Sequence, residues 1–274
     1  MSKPVVALIY DFDKTLATDD MQAFSFIPNL GMTPAEFWGA TDSFSKKTGT
    51  ESILSYLHVM IEACRKKGIP LTKEYLNSLG KDVKFYEGVT TWFKRLNAYA
   101  DSIGIQLEHY VISSGNKEII EGSAIAKEFK AVYGCEFLYN EYGVAYYPKC
   151  IVNYTLKTQY LFRISKGIMD QRDDSVNERI DEKHVEFRNM IYLGDGLTDI
   201  PCMTVIKEKN GKSIAVYQPN KKEVVEKLLL ENRVNYVCRS DFKSNSPLER
   251  LVKLILDSIA ISEKLLSKEN NPNI

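Results

Sequence analysis

The segment Asp11-Phe12-Asp13-Lys14-Thr15-Leu16 carries two carboxylates at positions i and i+2. On extended backbone those side chains point the same way, so the two acids would stand together. Side by side they repel unless a cation lies between them. A magnesium ion with oxygen ligands fills that role, and the acids can then divide into a nucleophile and a general acid/base. Taken alone, the same spacing also describes an acidic surface turn. A second acidic group, Gly194-Asp195-Gly196-Leu197-Thr198-Asp199, adds weight to the first reading. With Asp195 ending a strand and Asp199 in the first turn of the next helix, both acids would face one crevice and hold a metal. The flanking glycines permit the tight turn. A glycine turn with a capping aspartate explains one of these acids but not two.

For these groups to meet, the chain must deliver them to one end of a sheet. Pro4–Tyr10 (PVVALIY), Glu108–Ile112 (EHYVI) and Asn189–Leu193 (NMIYL) read as buried strands, being rich in aliphatic, aromatic and β-branched residues. Each stops at a polar or glycine-rich cluster: Asp11-Phe12-Asp13, Ser113-Ser114-Gly115 and Gly194-Asp195-Gly196. In open α/β sheets ligands bind beyond the carboxyl ends of parallel strands, so the clusters are expected to converge. Ser213–Tyr217 and Asn235–Cys238 are further strand candidates.

Helices fill the intervals. Val89, Trp92, Phe93, Leu96, Tyr99 and Ala100 keep helical spacing up to a stop at Gly104, and Ser246-Pro247-Leu248-Glu249 supplies an N-cap, a first-turn proline and a capping-box acid. The expected fold is α/β, a Rossmann-like doubly wound and mostly parallel sheet. Between Asp20 and Tyr86 the pattern changes to helix punctuation alone. Thr33-Pro34-Ala35-Glu36 is a capping box, Ile53, Leu57, Met60, Ile61 and Cys64 keep a helical period up to Gly68, and Thr72 to Gly80 suggests a further short helix. The expected organisation is a core of residues 1–19 and 86–274 with a small all-helical insert over 20–85. The tail from Asn271 is polar and expected to fray.

In their order and strand context, Asp11–Leu16, Ser113–Gly115, Lys157 and Gly194–Asp199 resemble the motifs of the haloacid dehalogenase (HAD) superfamily. The resemblance spans roughly Lys3–Leu16 and Phe85–Phe242. The insert is similar in position and helical character to the type I cap of the phosphoserine phosphatase-like branch. The resemblance implies a magnesium-dependent phosphatase in which Asp11 attacks phosphorus to form an aspartyl-phosphate and Asp13 acts as general acid/base. It implies metal ligation by the Asp11 carboxylate, the Asp13 carbonyl and Asp195, with Asp199 orienting the ion or its water. Ser114 and the Gly115 N–H would hold phosphoryl oxygens, with Ser113 as the register alternative. Lys157, ahead of an apolar helical pattern, would stabilise nucleophile and phosphoryl group, with Lys149 and Lys166 as nearby rivals. Asp20 stands where phosphoserine phosphatases carry a glutamate for the substrate amine. Those enzymes also use a cap arginine, and the insert contains only Arg65. The implied substrate is therefore a small phosphomonoester, not phosphoserine in particular. A phosphotransferase or phosphomutase would share every motif. A dehalogenase fits poorly, because Asp13 and the Asp195/Asp199 pair suit a cation that halide displacement does not use.

Composition narrows the partners. Lys plus Arg and Asp plus Glu both total 36, so no basic excess meets a nucleic acid or an anionic membrane. Short basic clusters, Arg65-Lys66-Lys67 and Lys221-Lys222, read as solvated surface. The 5 cysteines are odd in number and widely spaced, without C-x-x-C, which favours a reducing compartment and neither disulfides nor zinc. No apolar run suits a membrane span, and Val5–Tyr10 runs into acid without a small-residue cleavage site, so a cytoplasmic protein is expected. Gly211-Lys212-Ser213 imitates the end of a P-loop, but Ile206 stands where that motif needs glycine. His58, His109 and His184 are scattered and read as packing or surface residues, and Phe24, Phe26, Phe37, Trp38 and Phe44 mostly as core of the insert.

Overall fold

A computed structural model describes residues 3–218 and 222–270, so the tail from Asn271, and Lys221 of the Lys221-Lys222 pair, lie outside the described residues. The strands are β1 (Val5–Tyr10), β2 (Gln106–Asn116), β3 (Ala131–Tyr139), β4 (Ala145–Cys150), β5 (Met190–Gly194), β6 (Lys212–Tyr217) and β7 (Tyr236–Arg239). They form a 7-stranded sheet in the order β4-β3-β2-β1-β5-β6-β7. Every neighbouring pair is parallel except β3 and β4. The chain leaves β1 toward β2 on one side and reaches β5 on the other. That reversal of strand order beside β1 opens a crevice at its carboxyl end.

The helices are α1 (Met21–Phe24), α2 (Phe26–Asn29), α3 (Pro34–Thr48), α4 (Ser52–Lys67), α5 (Lys73–Leu79), α6 (Val89–Ser102), α7 (Lys117–Glu121), α8 (Tyr154–Lys166), α9 (Ile200–Glu208), α10 (Lys222–Leu230) and α11 (Pro247–Asn270). Covering helices explain why β1, β5 and the centre of β2 are apolar on both faces: Val6 to Tyr10 and Met190 to Leu193 are all fully buried. The Tyr10 hydroxyl in this core is satisfied. Tyr10 Oη accepts from Trp92 Nε1 at 2.9 Å and lies 3.0 Å from His109 Nδ1, which makes His109 a packing residue directly behind the site.

Sequence punctuation matches the helix ends. Thr33 and Glu36 form the capping box of α3, and α4 closes at Gly68, in the left-handed conformation at φ 66°. At α11, Ser246 Oγ accepts from Glu249 N–H at 3.1 Å. Helices α1 to α5 follow β1 directly. The two stretches of chain that lead into and out of them pair with each other: Ala17 bridges Phe85, Thr18 N–H donates to Lys84 O at 2.9 Å, and Tyr86 N–H donates to Leu16 O at 3.0 Å. Within this segment Phe26 and Phe37 pack edge to face at 6.0 Å, and Phe44 stacks on His58 at 4.2 Å.

Two details differ from expectation. Ser113, Ser114 and Gly115 lie within β2 rather than after it, where the pairing with β3 shifts register between Ile112 and Asn116. Asp199 closes a 3₁₀ turn, Leu197–Asp199, immediately before α9.

Candidate active site

Asp11 follows the last residue of β1, and its N–H donates to Leu193 O of β5 at 2.8 Å. That bond locks the ends of the two strands together, so the acids after each are neighbours. Carboxylate oxygens of Asp11, Asp195 and Asp199 all lie within 4.8 Å of one another. Behind them Lys157, from the first turn of α8, is fully buried, with Nζ 2.9 Å from Asp11 Oδ1 and 2.7 Å from Asp199 Oδ1. The rival lysines point elsewhere: Lys149 pairs with Glu136, and Lys166 donates to the Val176 carbonyl.

Local backbone explains the placement. Gly194 has no room for a side chain, since a Cβ there would stand 2.5 Å from Asp199 Cγ. Tyr192 Oη donates to Asp199 Oδ1 at 2.7 Å, so this carboxylate is held from two sides. After Asp13 the chain turns through Lys14, which adopts the left-handed φ of 56°, and Leu16 N–H closes on Phe12 O at 2.9 Å. Asp13 Oδ1 accepts from Met21 N–H at 2.9 Å, and Lys14 Nζ reaches both oxygens of Asp20 at 2.7 Å.

On the β2 side, Ser113 Oγ accepts from Gly115 N–H at 3.0 Å, whereas Ser114 Oγ is buried without a partner. A buried hydroxyl left unpaired costs free energy unless a ligand meets it. The Ser114 carbonyl accepts from Tyr56 Oη of α4 at 2.7 Å and from Cys135 Sγ at 3.3 Å. Asp11, Asp13, Lys14, Asp20, Ser113, Ser114, Gly115 and Asp195 share the lining of one cavity of about 330 Å³, closed on the helical side by α3 and α4. Sequence reading passed over Tyr56 and Tyr192. Neither carries a motif signal, because each is defined by a partner distant in the chain or in the next turn.

The electrostatics of the cluster suit a cation. Burial, and then the charge of Asp199, push the Asp11 carboxyl up to about 7 even against Lys157. Burial, and then Asp11 and Asp199, push Asp195 up to about 8. Asp13 is held well above the carboxylate range by burial and by the charges of Asp20 and Asp11. Burial works against the Lys157 charge, but Asp11 and Asp199 outweigh it and raise its proton affinity. Crowded, desolvated carboxylates that resist ionisation fit a hard divalent ion, which offers the charge they lack.

No protein-family model matches this chain. An uncharacterized protein of Borreliella burgdorferi is 27% identical over 288 residues, covering 94% of this chain and 98% of its own length. Among solved structures, a HAD family hydrolase from Salmonella enterica serovar Typhi superposes with a TM-score of 0.59 at 16% identity, over 92% of this chain and 72% of its own. A phosphoserine phosphatase in a phospho-aspartyl intermediate analogue form matches with a TM-score of 0.54 at 17% identity, over 92% and 99%. Cytosolic 5′-nucleotidase IIIB bound to cytidine matches at 0.51 with 13% identity, over 95% and 87%. The chain therefore has the fold of the HAD hydrolases, phosphoserine phosphatases included.

Proposed function

We propose that this chain is a magnesium-dependent phosphatase that hydrolyses a small phosphomonoester through an aspartyl-phosphate on Asp11. The observation that carries the reading is the fully buried Lys157 ammonium shared between Asp11 and Asp199, beside the Asp195 carboxylate. Asp11, the Asp13 carbonyl, Asp195 and Asp199 would hold the ion. When bound, Mg²⁺ would supply the positive charge that lets a carboxylate approach an anionic phosphoryl group.

The residues divide the remaining work. Asp11 forms the new bond to phosphorus as the ester bond breaks. Asp13, whose environment favours a retained proton, gives that proton to the departing alcohol oxygen and then takes one from the attacking water. Ser114 Oγ receives a phosphoryl oxygen, the Gly115 N–H joins it by exchanging its bond to Ser113 Oγ for one to the phosphoryl group, and Lys157 steadies charge on Asp11 and on the transferring group. Helices α1 to α5 act as a cap over the crevice. Asp20 holds Lys14 beside Asp13.

The lining residues and fold support water as acceptor no more than another hydroxyl, so a phosphotransferase would use Asp11, Asp13, Ser114 and Lys157 in the same roles. Phosphate release from an aryl phosphate, measured with Mg²⁺ and with a chelator, tests the phosphatase reading. Turnover that survives the chelator, or that Asp11→Asn leaves intact, overturns it. The same assay with added alcohols separates water from other acceptors.

A further inference from the structure

The phosphoryl end of the cavity is built by the sheet, so the alcohol released from the substrate must face the helical wall. That wall is Gln22, Trp38, Thr41, Ser52, Ile53 and Tyr56. None carries a charge. Among the described residues, no cationic side chain of α1 to α5 lines the cavity. Arg65 is largely exposed and paired with Glu62 at 2.8 Å, and Lys66 and Lys67 line a separate depression between α3 and α4. Lys14, the one cation lining the cavity among the described residues, is committed to both oxygens of Asp20.

The cavity is otherwise acidic. Asp11, Asp13, Asp20 and Asp195 line it, with Asp199 behind, against Lys14 and Lys157. One divalent ion and a phosphoryl group leave no surplus positive charge for a second anion, and like charges brought together cost several kcal/mol. What the helical wall does offer is a partly buried indole, that of Trp38, set edge-on to Tyr56 at 6.0 Å, with Ile53 lining the same cavity. Hydroxyls of Thr41 and Ser52 interrupt the apolar surface.

We propose that the substrate is the monophosphate of an alcohol that carries no second anionic group and bears a planar or apolar group that packs on Trp38, and that phosphoserine and other esters with a second anionic group are excluded. This substrate class rests on the phosphatase reading of the same site. Trp38 and Ile53 are specificity-determining residues of the wall, not catalytic ones.

The test compares kcat/KM with Mg²⁺ for phenyl phosphate, a nucleoside 5′-monophosphate, glycerol phosphate, O-phosphoserine and a sugar bisphosphate. The best ring-bearing ester is expected to exceed O-phosphoserine and the bisphosphate by about tenfold or more. Trp38→Ala should raise KM for the ring-bearing ester about three- to tenfold, the size of an aromatic contact, and raise it by less for glycerol phosphate, which has no ring to pack. Because Trp38 also packs on Phe37, Ser52→Arg serves as a second variant at an exposed position. It should raise kcat/KM for O-phosphoserine relative to phenyl phosphate. O-Phosphoserine or the bisphosphate turned over as well as the esters without a second anionic group, or no relative gain with Ser52→Arg, overturns the substrate class and leaves the phosphatase reading standing. No phosphate from any ester overturns both.

Discussion

Lys157 Nζ, with no exposed surface, lies 2.9 Å from Asp11 Oδ1, although the two residues are 146 positions apart in the chain. The contact joins the first turn of α8 to the end of β1, and it sets the charge on the group proposed to attack phosphorus. Removing one partner of a buried pair leaves the other uncompensated, at a cost of about 3–5 kcal/mol. Lys157→Met is expected to lower the thermal midpoint and to reduce kcat by about a hundredfold or more. Lys157→Arg should fail to rescue, because the larger guanidinium has no room between Asp11 and Asp199. Activity near that of the parent protein in Lys157→Met would remove this lysine from the mechanism.

Asp11 and Asp195, pushed up to about 7 and about 8, make metal-free stability depend on pH. Both folded-state values lie above the ordinary 3.8, so the folded protein binds protons that the unfolded chain releases. Stability from these groups is therefore present at low pH and is lost as pH rises through about 4 to 8. A divalent ion takes the place of those protons. The rise in thermal midpoint on adding Mg²⁺ is expected to be small at pH 5 and to grow toward pH 8. An equal rise at both values would contradict the cluster as the metal site.

Ser114 and Ser113 should separate cleanly. Ser114 Oγ is buried without a protein partner, so Ser114→Ala is expected to leave the thermal midpoint unchanged or slightly higher while cutting kcat/KM about tenfold or more. Ser113 Oγ accepts from Gly115 N–H, so Ser113→Ala should cost about 1 kcal/mol of stability with a smaller loss of activity. The opposite pattern would move the phosphoryl contact to Ser113.

Gly194→Ala tests whether the turn after β5 places Asp199. The added methyl would need the space of the Asp199 carboxylate, 2.5 Å away. Activity should fall by about tenfold or more, since a displacement near 1 Å at a catalytic centre carries a cost of that order or greater. Full activity in this variant would mean that the position of Asp199 is immaterial.

What was legible in the sequence follows from how each element is buried. β1, β2 and β5 sit between helical layers, so they appear as continuous apolar runs that stop at chemistry. β3 and β4 did not stand out, because their hairpin lies at the sheet edge: Tyr146 and Tyr147 are exposed, and Gly134 interrupts the run. Helices α1 and α2 span 4 residues each, too short for a periodic signal. Among site residues, the D-x-D and G-D-G-x-x-D spacings are local and readable. The burial of Lys157 and the reach of Tyr56 to the Ser114 carbonyl are tertiary facts with no local mark.

The nucleophile itself can be identified by chemical trapping. Protein quenched during turnover of a phosphomonoester with Mg²⁺, reduced with borohydride and digested, should carry homoserine at position 11 in the peptide sequenced by mass spectrometry. Homoserine at another acidic position, or none at any while phosphate is released, would show that Asp11 does not take the phosphoryl group.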